Sequence, residues 1–205
     1  GIEIDDVEKG SYQVLEHTIT AKEAIVATNS PNLDLIPAHI DLVAIEIELV
    51  DKTNREMMLR KALEPIKDDY DYIFIDCAPS LGLITLNALT AANSVIIPIQ
   101  CEYFALEGLG KLLNTIKSIQ KIHNADLGIE GMLLTMYDSR LRLSNQVVDE
   151  VKKHFGNMVF NTIIQRNVKL SEAPSFGETI IDYDATCKGA SNYLKLAQEL
   201  INKKK

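Results

Sequence analysis

The sequence predicts an α/β fold in which a parallel sheet is covered by helices on both faces. Short apolar runs of strand length alternate with helical patterns along the chain. The strand-like runs are apolar throughout rather than at every second residue, as expected of strands that are buried on both faces. The length of 205 residues and the hydrophobic content of 46% suit one large domain with a substantial core. No linker, repeat or low-complexity tract divides the chain, so we expect a single domain over residues 1–205.

The first third of the chain is predicted to be mainly helical. Thr20 and Glu23 form a capping-box pattern, which predicts a helix that continues to about residue 28. The short apolar run at 33–37 is predicted to be a strand. The stretches at 40–49 and 54–66 have helical periodicity.

The remaining two thirds of the chain continue the alternation of strands and helices. Predicted strands lie at 71–76, 94–99, 128–136 and 159–164. Predicted helices lie at 82–92, 104–122, 143–155, 169–175 and 185–203. The strands therefore keep returning to one sheet through helical connections, which is the pattern of parallel α/β domains.

The composition excludes several classes of protein. No apolar run approaches the roughly 18 residues that cross a bilayer, and no signal-peptide pattern opens the sequence. Cys77, Cys101 and Cys187 are too few and too scattered for a disulfide framework or a zinc site. We therefore expect reduced, buried cysteines and a cytoplasmic location.

The charge distribution is uneven. The chain carries a net charge of −8, but the segment from Arg140 to Lys169 has six basic and two acidic residues. This segment has a net charge of +4, and the rest of the chain has −12. A basic segment on an acidic protein indicates either a local anion or DNA site or an ordinary solvated surface, and charge alone leaves both open.

Polar residues follow four of the predicted strands, in the stretches DCAPSLG, QCEYFALEG, TMYDSR and QRNVKLSEAPSFGE. Ligands of open parallel sheets bind outside the carboxyl ends of the strands, so we expect these stretches to converge on one edge. Asp76 directly follows the run YIFI. An acid in that place commonly holds Mg²⁺ in phosphate-transfer folds. The alternative is a cap for the helix that begins near Gly82.

A phosphate-binding loop of the form G-x-x-x-x-G-K-[ST] is absent from the sequence. The stretch GLGKLL at 108–113 does not qualify, because Ala105 stands at the first glycine position and Leu112 at the Ser/Thr position. No G-x-G-x-x-G follows a strand either, which disfavours a dinucleotide-dependent dehydrogenase.

Five blocks of the sequence resemble, in order, the ParA/Soj family of chromosome-partitioning ATPases. They are DLIPAHIDLVAIEIEL, YDYIFIDCAPSLGLITLNAL, VIIPIQCEYFALEGL, LLTMYDSR and IIQRNVKLSEAPSFGETI. The resemblance implies a P-loop NTPase-like fold of the deviant Walker A class. Family members begin with that Walker A loop and a second strand, neither of which is in this sequence. We therefore expect an N-terminally truncated chain that lacks roughly the first fifty residues of a family member, given the usual domain size. We also expect that this chain by itself does not bind ATP tightly.

The resemblance assigns roles around the metal and the phosphates. Asp76 matches the Walker B acid, which implies catalytic and Mg²⁺-binding roles. Pro79 and Ser80 match the switch that responds to the γ-phosphate. Gln100 and Glu102 match positions near the nucleotide and the dimer face, although ordinary polarity at a helix start is the alternative for these two.

The resemblance also assigns an adenine pocket. Tyr137 and Asp138 fall in the loop beneath the base, and Arg166 and Asn167 fall in the segment that lines the adenine. A partly buried aromatic side chain in a turn is the alternative reading of Tyr137. Gln165 departs from the family, whose members usually carry proline there, and this puts the shape of the base pocket in question.

The family further implies nucleic-acid and protein partners. Arg140, Arg166 and Lys169 match basic positions with which the ATP-bound homodimer binds DNA without sequence specificity. A ParB-type DNA-binding protein accelerates the ATP cycle in this family, so the resemblance implies a cytoplasmic, nucleoid-associated ATPase that does not bind membranes. Its cofactors are ATP and Mg²⁺.

Three other functions compete with this one. A MinD-like, membrane-cycling ATPase requires an amphipathic C-terminal membrane helix, but five apolar residues of that helix suit a core-facing position: Tyr193, Leu196, Ala197, Leu200 and Ile201. Iron–sulfur carriers of the same superfamily require cysteines spaced to hold a cluster, which this sequence lacks. A nucleotide-free module that binds DNA or a protein partner remains the alternative from another class.

Overall fold

The computed structural model describes residues 2, 7–77, 80, 82–103 and 105–203. The chain divides into two compact units. The first unit comprises Gly1–Asn93 and Ile116–Leu127, and the second comprises Ser94–Thr115 and Gly128–Lys205. The prediction of a single domain over residues 1–205 stays a prediction.

The first unit is mainly helical. Its elements are α1 (Ser11–Glu16), α2 (Ala21–Ala24), β1 (Val26–Ala27), β2 (Asp34–Leu35), α3 (Ile45–Glu48), α4 (Met58–Leu63) and α5 (Leu83–Ala91), with 3₁₀ turns at Ile40–Ala44, Arg55–Met57 and Glu64–Asp69. The predicted capping box is confirmed, since the Thr20 hydroxyl accepts from the Glu23 N–H and the Glu23 carboxylate accepts from the Thr20 N–H. Helix α2 ends well before residue 28, because β1 pairs antiparallel with β2.

Two apolar clusters and one amide hold this unit together. Leu15, Ile45 and Leu49 form one buried cluster, whereas the other is built around Val14. The Asn87 side chain is fully buried between helices. Its amide donates to two backbone carbonyls and accepts from one backbone N–H, so each polar atom of this buried group has a partner.

The predicted strand at 71–76 is wrong for this structure. Residues 72–77 have no regular secondary structure, and Tyr72, Ile73 and Phe74 are exposed, with Phe74 exposed to 72%. Cys77 is exposed as well, so the expectation that it is buried is wrong. A strand is stable only when a neighbouring strand accepts and donates its backbone hydrogen bonds. Within the part of the chain that the structure describes, no segment pairs with these residues as a strand.

The second unit contains the parallel α/β arrangement that the sequence predicts. Its elements are β3 (Ser94–Gln100), the part of α6 (Ala105–Ile122) up to Thr115, β4 (Gly128–Thr135), α7 (Arg142–Phe155), α8 (Val168–Glu172), α9 (Ile180–Asp184) and α10 (Lys188–Lys203), with 3₁₀ turns at Gly156–Met158 and Ala173–Phe176. β3 and β4 are parallel and pair from Ser94↔Gly128 to Gln100↔Thr135. Both therefore end at the same edge.

The predicted strand at 159–164 is only partly formed. Val159 forms an isolated bridge with β4, and the Phe160 and Ile164 N–H groups donate to β4 carbonyls. Between them, the N–H groups of Asn161 and Thr162 donate instead to the Glu199 carboxylate of α10, at 2.7 and 2.9 Å. The ladder is interrupted because a side chain takes two of its donors.

The core of the second unit is centred on Phe160, which is fully buried with Leu133, Ile164 and Leu196. The prediction for the final helix holds in part. Leu196 is buried and Leu200 packs against this cluster, but Tyr193, Ala197 and Ile201 are exposed, because α10 is covered along only one side. Within the described residues, no helix has the length and apolar character that crossing a membrane requires.

Candidate functional site at the carboxyl ends of β3 and β4

The candidate site begins where β3 and β4 end together. Gln100 is the last residue of β3 and is exposed. The next N–H, of Cys101, donates to the Thr135 carbonyl at 3.0 Å, and the Cys101 carbonyl accepts from the buried Ser144 hydroxyl at 3.1 Å. These bonds fix the direction in which Glu102 leaves the sheet.

The segment after β4 brings the adenine-pocket candidates next to this edge. Met136 has a left-handed backbone with φ 54°, which is a strained conformation for a non-glycine residue and is frequent at functional sites. The Tyr137 N–H donates to Ile164 O, and the Arg166 N–H donates to Tyr137 O at 2.9 Å. The Tyr137 hydroxyl donates to Asn145 Oδ1 at 2.8 Å, so its ring is held in place.

Asp138 and Arg140 form one tight turn. The Asp138 carboxylate accepts from the Arg140 backbone N–H and, with both oxygens, from the guanidinium at 2.9 and 2.7 Å. The hydrogen bonds from the Arg140 side chain lower the pKa of Asp138 to about 2. The carboxylate is therefore ionised throughout the physiological range. It is only 12% exposed, whereas the Arg140 side chain is 86% exposed.

Arg166 bridges back to the end of β3. Its Nη2 donates to Glu102 Oε1 at 2.9 Å, and both side chains are about half exposed. Asn167 caps α8, because its Oδ1 accepts from the Lys169 N–H at 2.8 Å. The structure thus brings together the predicted residues that follow β3 with those of the 165–169 segment.

Lys169 belongs to a cluster on α8 and α9. Its Nζ lies 3.0 Å from Glu172 Oε2, which also accepts from the Tyr183 hydroxyl at 3.1 Å. The same Nζ lies 5.3 Å from the centre of the Tyr183 ring. The hydrogen bonds from Lys169 and then Tyr183 lower the pKa of Glu172.

A cavity of about 740 Å³ opens at this edge. Its lining includes Gln100, Glu102, Met136, Leu143, Ser144 and Arg166. The walls combine apolar side chains with a carboxylate and a guanidinium at the rim. Its size lies in the usual range of about 300–1,000 Å³ for small-ligand pockets.

Gln165, the departure from the family pattern, has a defined role. Its backbone N–H donates to Asn192 Oδ1 of α10 at 3.1 Å. Proline has no N–H and could not form this bond. The backbone of Tyr137 is hydrogen-bonded to Ile164 and Arg166, the two neighbours of Gln165 in the sequence. The pairing of this segment with Tyr137 is therefore regular with glutamine at position 165.

Asp76 and Ser80 belong to the first unit. Both are exposed, and the Ser80 carbonyl accepts from the Thr85 hydroxyl at 2.6 Å. Pro79, the third residue of the predicted catalytic set, lies outside the described residues. The predicted meeting of Asp76 with the edge of β3 and β4 stays a prediction.

The fit of Asp76 to Mg²⁺ depends on its donor chemistry. Across the described ranges, no three His, Cys, Asp or Glu side chains group closely enough to hold a metal ion on their own. Mg²⁺ is usually held by one or two carboxylates together with phosphates and water. An accessible carboxylate such as that of Asp76 fits this requirement.

Sequence reasoning missed the residues that support the site. Ser144 and Asn145 anchor the two strand ends from α7, and Asn192 anchors Gln165. A weak signal exists for Ser144, since it is a polar residue on the face of α7 that also carries buried Val147 and Val151.

Comparisons with known sequences agree with one another. A family profile described as an AAA domain matches residues 1–129. The sporulation initiation inhibitor protein Soj of Bacillus subtilis (strain 168) is 56% identical over 200 residues, which cover 98% of this chain and 79% of that protein. The chromosome partitioning protein ParA of Myxococcus xanthus (strain DK1622) is 50% identical over 203 residues, which cover 99% of this chain and 72% of that protein.

Solved structures give the same fold. A crystal structure titled cobyrinic acid a,c-diamide synthase from Mycobacterium smegmatis matches with a TM-score of 0.83 at 36% identity, over 98% of this chain and 75% of that chain. A second structure of that title, with bound ATP analog and magnesium, matches with a TM-score of 0.76 at 39% identity. This second match covers 82% of this chain and 68% of the other.

Proposed function

Because the chain belongs to the ParA/Soj family of chromosome-partitioning ATPases, we propose that it acts in DNA segregation by ATP-dependent dimerisation and non-specific DNA binding. The observation that carries the proposal is the convergence of Glu102, Tyr137 and Arg166 at the carboxyl ends of β3 and β4. This edge is where open parallel sheets bind their ligands.

In the proposed nucleotide site, the base lies against the segment after β4. Tyr137 offers a ring held by Asn145, and Asp138 offers an ionised carboxylate that Arg140 holds in one orientation. Arg166 and Asn167 line the same base, and Gln100 and Glu102 lie near the nucleotide and the dimer face. The match to the Mycobacterium protein with bound ATP analog and magnesium supports ATP as the ligand.

The family resemblance supports metal and phosphate roles for Asp76, Pro79 and Ser80. Asp76 would hold Mg²⁺, which when bound neutralises charge on the phosphates. Pro79 and Ser80 would respond to the γ-phosphate. The 205 residues contain no Walker A loop, so we propose that this chain by itself does not bind ATP tightly. Isothermal titration that gave micromolar ATP affinity for these 205 residues would contradict that.

The proposed DNA-binding surface consists of Arg140, Arg166 and Lys169. Their side chains are 86%, 51% and 45% exposed, and all three residues belong to the second unit. Phosphate neutralisation by such cations requires no base contacts and weakens with salt. A dimer would double the number of cations. We propose a ParB-type protein as the partner and the nucleoid in the cytoplasm as the location.

The test is ATP turnover by the protein expressed from its complete gene, with and without DNA and the ParB-type protein. We expect turnover that both additions increase and that Asp76→Asn abolishes. Asp51→Asn, which changes an exposed acid of the same unit, is the matched control and should leave turnover unchanged. Absence of turnover with DNA and partner present would refute the proposed function.

A further inference from the structure

Each of the three cations of the proposed DNA-binding surface is paired with a carboxylate of its own unit. Arg140 pairs with Asp138 at 2.7 Å, Arg166 with Glu102 at 2.9 Å, and Lys169 with Glu172 at 3.0 Å. The three pairs together carry no net charge. A DNA phosphate that approaches this surface therefore meets cations whose charge is already compensated.

The three pairs differ in how easily they can open. Glu102 and Arg166 share one hydrogen bond, and both side chains are about half exposed. Lys169 and Glu172 are 45% and 40% exposed and lie three residues apart on α8. Exposed pairs of this kind are weak, since water solvates both partners. A phosphate can therefore replace either carboxylate.

Asp138 is different, because it is nearly buried and uses both oxygens. It binds the Arg140 guanidinium at two points and also the Arg140 backbone N–H. The guanidinium retains further N–H groups that point away from Asp138, and its side chain is 86% exposed. This carboxylate is built to orient the arginine.

We propose that Glu102 and Glu172 compete with DNA phosphates for Arg166 and Lys169 and thereby hold the DNA affinity of the protein low. Asp138 acts in the opposite sense, as a positioning residue that presents Arg140 to DNA. This inference rests on the proposed DNA binding and adds to it the acidic residues that set its strength.

The expected effects follow from the exposure of the pairs. A competing exposed carboxylate is worth a factor of about 1.5 to 5 in an equilibrium constant. Glu172→Gln alone is therefore expected to tighten binding by about twofold to threefold, and Glu102→Gln with Glu172→Gln by about threefold to tenfold. The salt dependence of binding should steepen by up to about 0.9 in log–log slope for each cation released.

The experiment measures binding of a fluorescent duplex of arbitrary sequence to the protein from its complete gene, with ATP and Mg²⁺, at several salt concentrations. Glu130→Gln is the matched control, because it removes one charge from the same unit at a partly exposed carboxylate that accepts from the Ser94 hydroxyl. Glu172→Asp keeps the charge and should bind DNA as the unsubstituted protein does. Glu172 lies outside the proposed nucleotide site, so Glu172→Gln tests the inference even if Glu102→Gln weakens ATP binding.

The outcomes separate the inference from the proposed function. The inference is supported if Glu172→Gln and the double variant Glu102→Gln with Glu172→Gln bind DNA more tightly. Glu130→Gln and Asp138→Asn must then bind no more tightly than the unsubstituted protein. Equal tightening by Glu130→Gln or Asp138→Asn means that only net charge matters and overturns it. A third outcome is that Arg166→Ala weakens DNA binding whereas Glu172→Gln and the double variant leave it unchanged. That outcome overturns the inference and keeps the proposed function. If neither the unsubstituted protein nor any variant binds DNA, both are wrong.

Discussion

The Glu199 carboxylate connects α10 to the segment that carries Arg166, and its removal should measurably destabilise the second unit. It accepts from the Asn161 N–H at 2.7 Å, from the Asn161 side-chain amide at 3.2 Å, and from the Thr162 N–H at 2.9 Å. These two backbone groups have no strand partner in the interrupted ladder. We therefore choose Glu199→Gln, which preserves the shape and removes the charge.

The magnitude follows from these hydrogen bonds. The Asn161 and Thr162 N–H groups use different oxygens of Glu199, so a glutamine in the same orientation presents an NH₂ group to one of them. A hydrogen bond to a charged group contributes about 1.5–3 kcal/mol, and Glu199 is partly exposed, so we expect a loss of about 2 kcal/mol. For a chain of this size that corresponds to a fall in Tm of about 4–8 °C.

The pH dependence gives a second readout. Burial, the largest single influence, raises the pKa of Glu199, but the hydrogen bonds from Asn161 and Thr162 together outweigh it, so the folded-state pKa is lowered. Stability from such a group is present above the unfolded pKa of about 4.3 and is lost as the pH falls through the folded value. The difference between the two proteins should therefore be full near neutral pH and shrink in acid.

The assay is urea unfolding followed by circular dichroism, from neutral to acidic pH. Glu130→Gln serves as the control, because that carboxylate accepts one hydroxyl hydrogen bond near the surface. It should lie within about 0.5 kcal/mol of the unsubstituted protein. If Glu199→Gln were equally mild at neutral pH, the hydrogen-bond argument would be refuted.

Three further predictions concern the buried groups of both units. Asn87→Ala removes the side-chain partner of three backbone groups and should cost about 2–3 kcal/mol of unfolding free energy, and a change below about 0.5 kcal/mol would contradict this. Gly131→Ala would place a methyl group 2.5 Å from the fully buried ring of Phe160 and should destabilise by about 1–3 kcal/mol, with partial recovery in combination with Phe160→Leu. Burial raises the pKa of Cys101 to about 11, so iodoacetamide should label the exposed Cys77 well before Cys101, and equal rates would show that Cys101 is accessible.

The elements that the sequence predicts best are those with long, locally encoded patterns. β3, α6, β4 and α7 lie within one or two residues of their predicted positions, because periodicity and apolar runs of this length are unambiguous. The strands at 71–76 and 159–164 failed wholly or partly for a non-local reason. Their hydrogen bonds depend on what lies beside them, and in the second case the competitor, Glu199, is 38 residues distant from Asn161.

The candidate site was predictable to the same degree. The rule that ligand sites lie at the carboxyl ends of parallel strands was enough to place Glu102, Tyr137 and Arg166 on one edge. It could not supply the pairing of cations with carboxylates, because Arg166 and Glu102 are 64 residues apart. Nor could it supply the strained backbone of Met136, for which neighbouring side chains give no local signal.

The hydrogen bond from the Gln165 N–H to Asn192 makes the residue that suits position 192 depend on the residue at position 165. A relative with proline at position 165 has no hydrogen to offer, so an asparagine at position 192 would face a ring instead of a donor. Substitution at one site therefore changes which residues are tolerated at the other. Grafting this loop into another family member should succeed only when the residue on α10 is transferred with it.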